Sequence, residues 1–229
     1  MEKQQYKLCL EVLRRLDKTG VLKNLILVGS WCVPFYQEYF KTIKYSSFIR
    51  SRDIDFMVPK SIKLKAKVDL AELLRDLGFV IGFQGREGYI RLEHPELAIE
   101  FLVPEKGSGS SNKPFPLREL SINAQPLRYL NLLTQRVINA EVGGIKIALP
   151  HPAIFAFHKL IVAKIRKNKD KGAKDKEEAV RILRALIAKG ELALTMRLLH
   201  CMLPKWRIKV LASLKETNAP EILGALNGD

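Results

Sequence analysis

The sequence has little of what marks secreted, membrane-spanning or zinc-binding proteins. It holds only three cysteines in 229 residues, and because they lie far apart inside apolar patterns, neither a disulfide framework nor a zinc cluster is expected. No apolar run approaches the roughly 18 residues that span a membrane, and residues 1–5 lack the apolar core of a signal peptide. We therefore expect a cytoplasmic protein with no membrane partner. Its cysteines are expected to be small core residues: Cys9, Cys32 and Cys201.

Residues for two common catalytic chemistries are also missing. The four histidines have no metal-ligand spacing with one another or with cysteine, which argues against zinc chemistry. No Gly-x-Ser-x-Gly motif is present, so a serine nucleophile is not expected. His158 could face a cleft, but its spacing is more typical of a structural histidine.

Positive charge, by contrast, is in excess. The formal net charge is +15, and an excess of this size raises the local concentration of polyanions. Nucleotides or nucleic acids are therefore candidate partners. A generally basic proteome, or a basic surface that serves only solubility, is the alternative.

Two stretches in the first quarter of the chain carry the chemistry. The apolar run Leu25–Val28 ends in Gly29 and Ser30, which predicts a buried strand, a tight turn and a helix start whose backbone N–H groups could hold phosphate. Further on, Asp53 and Asp55 alternate with apolar residues, so both project from one face of a strand, about 7 Å apart at their backbones. Two such carboxylates repel each other unless a cation lies between them. Magnesium fits, because it prefers oxygen ligands.

A third acid lies in the middle of a later apolar run. Glu100 is the single charged residue of the strand-like segment 97–103. A carboxylate there is unfavourable without a partner, so Glu100 is predicted to join the same site.

The order of Gly-Ser, Asp-x-Asp and a lone acid on a later strand resembles the nucleotidyltransferase superfamily. That superfamily includes DNA polymerase beta, the aminoglycoside nucleotidyltransferases and the nucleotidyltransferase toxins of abortive-infection systems, and the last, minimal type is the most similar. The resemblance covers roughly residues 20–105. The interval from Ser30 to Asp53 is longer than usual in the family, so a loop insertion is expected at 42–51.

The resemblance implies a metal-dependent enzyme that moves a nucleoside monophosphate from NTP to an acceptor hydroxyl and releases pyrophosphate. It implies that Asp53 and Asp55 hold two Mg²⁺ ions, with Mn²⁺ as a substitute, and that Glu100 ligates the inner ion and helps deprotonate the acceptor. Gly29 and Ser30 would hold the triphosphate. Arg52 could contact the same triphosphate or pair with Asp53.

The fold class predicted for the chain is α+β: a mixed-sheet nucleotidyltransferase domain over residues 1–150, followed by an all-helical module over 151–229. The Gly/Ser-rich segment 107–112 is predicted to be a flexible loop. The sequence predicts helices and strands in the first domain as follows: helices 2–18, 31–41, 68–77 and 127–133, strands 25–28, 52–58, 79–83, 89–93 and 97–103, and a hairpin of 136–141 with 145–149 across Gly143-Gly144.

The second part shows only helical periodicity and carries a charge of +8, from 16 basic and 8 acidic residues. Its predicted helices are 153–167, 177–188, 192–203, 205–214 and 220–226. Three basic residues resemble those of the abortive-infection type: Lys159 on the first helix, Arg166 near its end, and Lys174 in a Lys-Asp pair that opens the next. The resemblance implies that they reach across a cleft between the two domains to the β- and γ-phosphates.

Two questions stay open at the level of sequence. The acceptor could be a small molecule, a protein side chain or an RNA, and the excess charge favours RNA or tRNA. The chain could also be a catalytically silent nucleotidyltransferase-fold module that binds nucleic acid or a protein, since a fold does not determine function. Nothing in the sequence indicates an oligomeric state.

Overall fold

The computed structural model describes residues 2–45, 51–59, 62–105 and 113–227. The chain forms two compact units, Met1–Tyr39 with Ser47–Pro150 and Phe40–Ser46 with His151–Asp229, which we call the sheet unit and the helical unit. The predicted loop 107–112 lies outside the described residues, and so do residues 46–50 of the predicted insertion at 42–51.

The sheet unit is built on a mixed sheet. Its strands, together with a separate hairpin, are β1 (Ile26–Val28), β2 (Asp53–Met57), β3 (Val80–Gln84), β4 (Tyr89–Glu93), β5 (Ala98–Pro104), β6 (Phe115–Leu117), β7 (Ile122–Leu127), β8 (Val137–Val142) and β9 (Ile145–Pro150). The sheet order is β1-β2-β5-β4-β3, with β7 beside the end of β5 and β6 beside β7. The pairs β2/β5 and β5/β7 are parallel and the others antiparallel, so the predicted α+β class with a mixed sheet is confirmed.

β5 is the centre of this sheet because its apolar residues are buried along most of its length. The rings of Phe56 on β2 and Phe101 on β5 stack with centroids 5.8 Å apart. β6 and β7 were not predicted, since Asn123, Gln125 and Pro126 interrupt the apolar alternation of β7. The backbone ladder with β5 supplies the pairing that its side chains do not indicate.

The helices of the sheet unit are shorter than predicted, apart from the first. They are α1 (Glu2–Lys18), α2 (Cys32–Phe35), α3 (Leu70–Leu74) and α4 (Leu130–Leu133). The predicted helix 31–41 ends at Phe35 and continues as turns. The third helix begins after Asp69, whose carboxylate accepts a hydrogen bond from the N–H of Glu72 at 3.1 Å. The fourth begins only at Leu130, because β7 runs through Leu127.

The predicted hairpin is confirmed as β8 and β9. Gly143 and Gly144 both have positive φ, 57° and 77°, as a two-residue hairpin turn requires.

The helical unit has no strand among its described residues up to 227, as predicted. Its helices are α5 (Pro152–Ile165), α6 (Lys169–Ala188), α7 (Leu192–His200), α8 (Pro204–Leu214) and α9 (Pro220–Asn227). α6 begins at Lys169 rather than at 177, because Asn168 caps it by accepting a hydrogen bond from the N–H of Lys171 at 3.0 Å. Gly172 allows α6 to approach α5 closely, since a Cβ there would lie 2.9 Å from the carbonyl oxygen of Ala163.

Two of the three cysteines are core residues, as expected. Cys9 and Cys32 are buried, and burial raises the pKa of the Cys9 thiol. Cys201 is exposed at the end of α7, so the prediction for it was wrong. Within the described residues, no helix combines the length and the apolar character that crossing a membrane requires.

Candidate active site

The three predicted acids lie on two neighbouring strands of the sheet. Asp55 on β2 is the direct register partner of Glu100 on β5 in a parallel pair. Asp53 precedes Asp55 by two residues and therefore shares its face. The topology thus brings together on one face the acids that the sequence singled out.

The turn after β1 lies directly against one of these acids. Val28 is the register partner of Asp55, and Gly29 follows with φ +71° in a 3₁₀ turn that runs to Trp31. A Cβ at Gly29 would overlap Oδ2 of Asp55. Only glycine fits this close approach, which places the Gly29-Ser30 backbone beside the Asp55 carboxylate.

Arg91 on β4 belongs to the same group and was missed from the sequence. It is the register partner of Glu100, its Nη2 donates a hydrogen bond to Oδ1 of Asp53, and its Nε lies 3.3 Å from Oε1 of Glu100. Asp55, Glu100 and Arg91 therefore form one line across three adjacent strands. The available signal was the strand pattern of 89–93, which places Arg91 on one face of a strand that neighbours β5.

The donor chemistry of this site suits a divalent cation, because carboxylate oxygens are the ligands that Mg²⁺ prefers. That Asp53, Asp55 and Glu100 hold two Mg²⁺ ions stays a prediction. No group of three acid, histidine or cysteine side chains in the described ranges is arranged to hold a metal ion. The guanidinium of Arg91 contacts Asp53 and Glu100 instead.

Hydrogen bonds fix the approach to β2. The N–H of Asp53 donates to Oγ of Ser51 at 3.1 Å, and the carbonyl of Ser51 accepts from Nε1 of Trp31 at 3.2 Å. Arg52 is exposed, and its guanidinium donates to the carbonyl of His94 at 3.0 Å. Arg52 thus has a backbone partner, and its contact with the triphosphate stays a prediction.

Lys159 lies inside the helical unit and is held by two carboxylates. Its Nζ is 2.8 Å from Oδ1 of Asp175 and 2.7 Å from Oε2 of Glu178, and it lies 5.3 Å from the centroid of the Phe155 ring. Burial alone would lower the pKa of Lys159, but the charges of Glu178 and Asp175 outweigh burial and raise it. These contacts give Lys159 a structural role. Its contact with a phosphate stays a prediction.

The other two predicted basic residues of this unit differ in environment. Nε of Arg166 is 3.0 Å from Oδ2 of Asp175, so Arg166 belongs to the same ion-pair network as Lys159. Lys174 is exposed. The Lys174-Asp175 pair lies inside α6 and does not open it, which corrects the predicted start of that helix.

His158 directly precedes Lys159 in the sequence, and its pKa differs from the usual value. Its Nε2 is buried and has no hydrogen-bond partner in the part of the chain that is described. Burial, with the neighbouring charge of Lys159, lowers the pKa of His158 to about 4. The imidazole is therefore neutral at physiological pH, as a structural histidine would be.

A family model described as nucleotidyltransferase matches residues 7–199. The match covers most of both units, and the chain therefore belongs to the nucleotidyltransferase family. This confirms the predicted superfamily and an enzyme of the nucleotidyltransferase class with an NTP substrate. No curated protein matches the chain significantly.

One solved structure agrees with the fold, and two others are less similar. An antigenic nucleotidyltransferase-like protein from Paracoccidioides brasiliensis is 13% identical, with a TM-score of 0.53 over 96% of this chain and 92% of that one. The antibiotic-resistance factor ANT(2'')-Ia in solution is 12% identical, with a TM-score of 0.43 over 87% and 98% of the two chains. ANT(2'')-Ia in complex with adenylyl-2''-tobramycin is 12% identical, with a TM-score of 0.48 over 85% and 97%.

Proposed function

We propose that the protein transfers a nucleoside monophosphate from NTP to an acceptor hydroxyl in a divalent-metal-dependent reaction. The acceptor oxygen attacks the α-phosphorus, the bond from the α-phosphorus to the bridging oxygen breaks, and pyrophosphate leaves. The observation that carries the proposal is the register pairing of Asp55 with Glu100, with the Gly29 turn packed against the Asp55 carboxylate.

Each candidate site residue of the sheet unit then has a role in the proposed reaction. Asp53, Asp55 and Glu100 would hold Mg²⁺, or Mn²⁺ in its place, and the bound ion would stabilise negative charge on the reacting phosphate. Glu100 accepts the proton of the acceptor hydroxyl. The backbone N–H groups and hydroxyl at Gly29-Ser30 contact the triphosphate, which their position beside Asp55 supports.

The favoured acceptor is RNA, and a groove in the helical unit supports this. The groove has a volume of about 660 Å³ between α5, α6 and the turn after α8. Four cations and two carboxylates are among its lining residues: Lys164, Lys169, Lys176, Arg184, Glu177 and Glu216. An excess of cations along a groove suits the phosphates of a nucleic-acid chain better than a small antibiotic or a protein side chain.

The test is label transfer. The protein is incubated with each α-labelled NTP, Mg²⁺ and total RNA, and at least one nucleotide should label an RNA species. Asp53→Asn should abolish the labelling, whereas Asp17→Asn, an exposed acid on α1, should leave it unchanged. No labelling of RNA with any NTP would overturn RNA as the acceptor, and no labelling of any fraction of a whole-cell lysate would overturn the proposed transfer.

A further inference from the structure

The guanidinium of Arg91 lies where a cation is needed among the three acids. It is bonded to Asp53 and lies within ion-pair distance of Glu100. One guanidinium neutralises at most one of the three carboxylates. The site can thus exist in a metal-free form in which Arg91 partly neutralises the acids.

The two contacts of Arg91 differ in hydrogen-bond geometry. Nη2 donates a hydrogen bond to Asp53, whereas the buried Nε lies 3.3 Å from Glu100 without hydrogen-bond geometry. A buried N–H without a hydrogen bond is unfavourable. The contact with Glu100 therefore holds Arg91 less firmly than the bond with Asp53.

Glu93, on the same strand as Arg91, offers a second partner for this guanidinium. Gly82 on β3 is the register partner of Arg91 and has no side chain. Glu93, two residues along β4 and so on the same face as Arg91, extends its carboxylate over Gly82, where a Cβ would overlap it. Glu93 is exposed, so it can receive a displaced guanidinium.

We propose that Arg91 is a positioning residue that competes with the divalent cation for Asp53. It holds Asp53 and Glu100 in place in the metal-free form, and its bond to Asp53 must break before Asp53 can ligate the ion. The inference rests on the proposed function, because it takes these acids as the metal ligands.

The experiment is a titration of the whole 229-residue chain with Mn²⁺ alone. Arg91→Gln should bind Mn²⁺ about tenfold more tightly than the wild type, the gain expected when one competing charge-assisted hydrogen bond is removed. The gain should vanish in Arg91→Gln combined with Asp53→Asn, because Asp53 is the ligand released. Arg86→Gln, an exposed arginine in the β3–β4 turn, is the matched control for lost charge and should change little.

A stability measurement and a second variant keep the test decisive. Without metal, Arg91→Gln should unfold at a lower temperature than the wild type, and saturating Mn²⁺ should raise its unfolding temperature by more. If this variant does not fold, Arg91→Lys replaces it, since an ammonium cannot bridge two carboxylates as a guanidinium fork does. It should give an intermediate gain in Mn²⁺ affinity.

The outcomes separate the inference from the proposed function. If Asp55→Asn abolishes Mn²⁺ binding but Arg91→Gln binds no more tightly than the wild type, Arg91 does not compete and the inference alone fails. If neither the wild type nor any variant binds Mn²⁺ up to millimolar concentrations, both proposals fail.

Discussion

Gly29 lies so close to Asp55 that the addition of one methyl group would bring it into overlap with the carboxylate. The two residues are on separate segments that the β1/β2 pairing brings together, and the φ of +71° at Gly29 turns its backbone toward the acid. The relationship couples the proposed triphosphate-binding turn to a proposed metal ligand. A change at Gly29 should therefore affect both.

The first prediction concerns this contact. Gly29→Ala should destabilise the protein by about 1–3 kcal/mol more than Gly88→Ala, because both positions have positive φ but a Cβ meets a neighbour only at Gly29. Urea unfolding of both variants measures the difference. Equal losses would mean that the Asp55 carboxylate moves aside without cost.

The second prediction concerns the metal. NTP should raise the unfolding temperature of the wild type by about 5 °C at saturating concentration, but only with Mg²⁺ present. Removal of the ion with EDTA, or the change Asp55→Asn, should abolish the shift, whereas Asp17→Asn should keep it. A shift of the same size in EDTA would show that nucleotide binds without a metal.

The third prediction concerns Lys159. Its removal leaves Asp175 and Glu178 close together without their shared buried cation, so Lys159→Met should cost about 3–5 kcal/mol of stability. Lys169→Ala, on the exposed first turn of α6, should stay within about 0.5 kcal/mol of the wild type. Chemical unfolding measures both.

The same lysine tests the predicted contact with phosphate. If Lys159 also binds the β- or γ-phosphate, Lys159→Met should weaken NTP binding about ten- to a hundredfold and NMP binding much less. Calorimetry at low temperature, where the variant stays folded, compares the two ligands. Equal losses for both would leave Lys159 with its structural role alone.

Sequence reasoning identified the acids because their chemistry is local. Asp53 and Asp55 are two residues apart, so their shared strand face can be inferred from the sequence alone. Glu100 interrupts an apolar run, so the unfavourable free energy of burying its charge can be inferred in the same way. The pattern of residues 89–93 gives the face of Arg91 but not its partners. Its role depends on β4 lying beside β5, and a strand order is not written in the period of a single strand.

The same distinction explains the errors in the fold. β7 has polar side chains and a proline, so only its ladder with β5 makes it a strand. The acidic partners of Lys159, Asp175 and Glu178, come from the following helix, and the predicted start of that helix at 177 left Asp175 outside it. Cys201 sits in an apolar pattern and is nevertheless exposed, because the helix ends there.

The fourth prediction concerns pH. The pKa of His158 is about 4 in the folded protein and near 6.5 when unfolded, so the unfolded state binds more protons between these values. The contribution of neutral His158 to the free energy of unfolding is complete above pH 6.5. It falls by up to about 3 kcal/mol as the pH drops toward 4. His158→Gln should remove this part of the acid sensitivity, whereas His200→Gln, at an exposed position on α7, should retain it. Urea unfolding at pH 7 and pH 4.5 provides the comparison.

The last prediction concerns the groove of the helical unit. Glu216 lies 2.8 Å from Lys164 and 2.6 Å from Lys176, and these two hydrogen-bonding lysines lower the pKa of its carboxyl to about 2. Glu216 thus stays ionised and partly neutralises the groove, so Glu216→Gln should strengthen binding of RNA.

Lys169→Ala should weaken RNA binding severalfold. It should also make the slope of log affinity against log salt shallower by about 0.7, as the loss of one phosphate contact on a single strand requires. Lys205→Ala, at an exposed position on α8 that does not line the groove, is the control. Fluorescence anisotropy with a labelled single-stranded RNA at several salt concentrations measures all three, and equal slopes for Lys169→Ala and Lys205→Ala would place the RNA elsewhere.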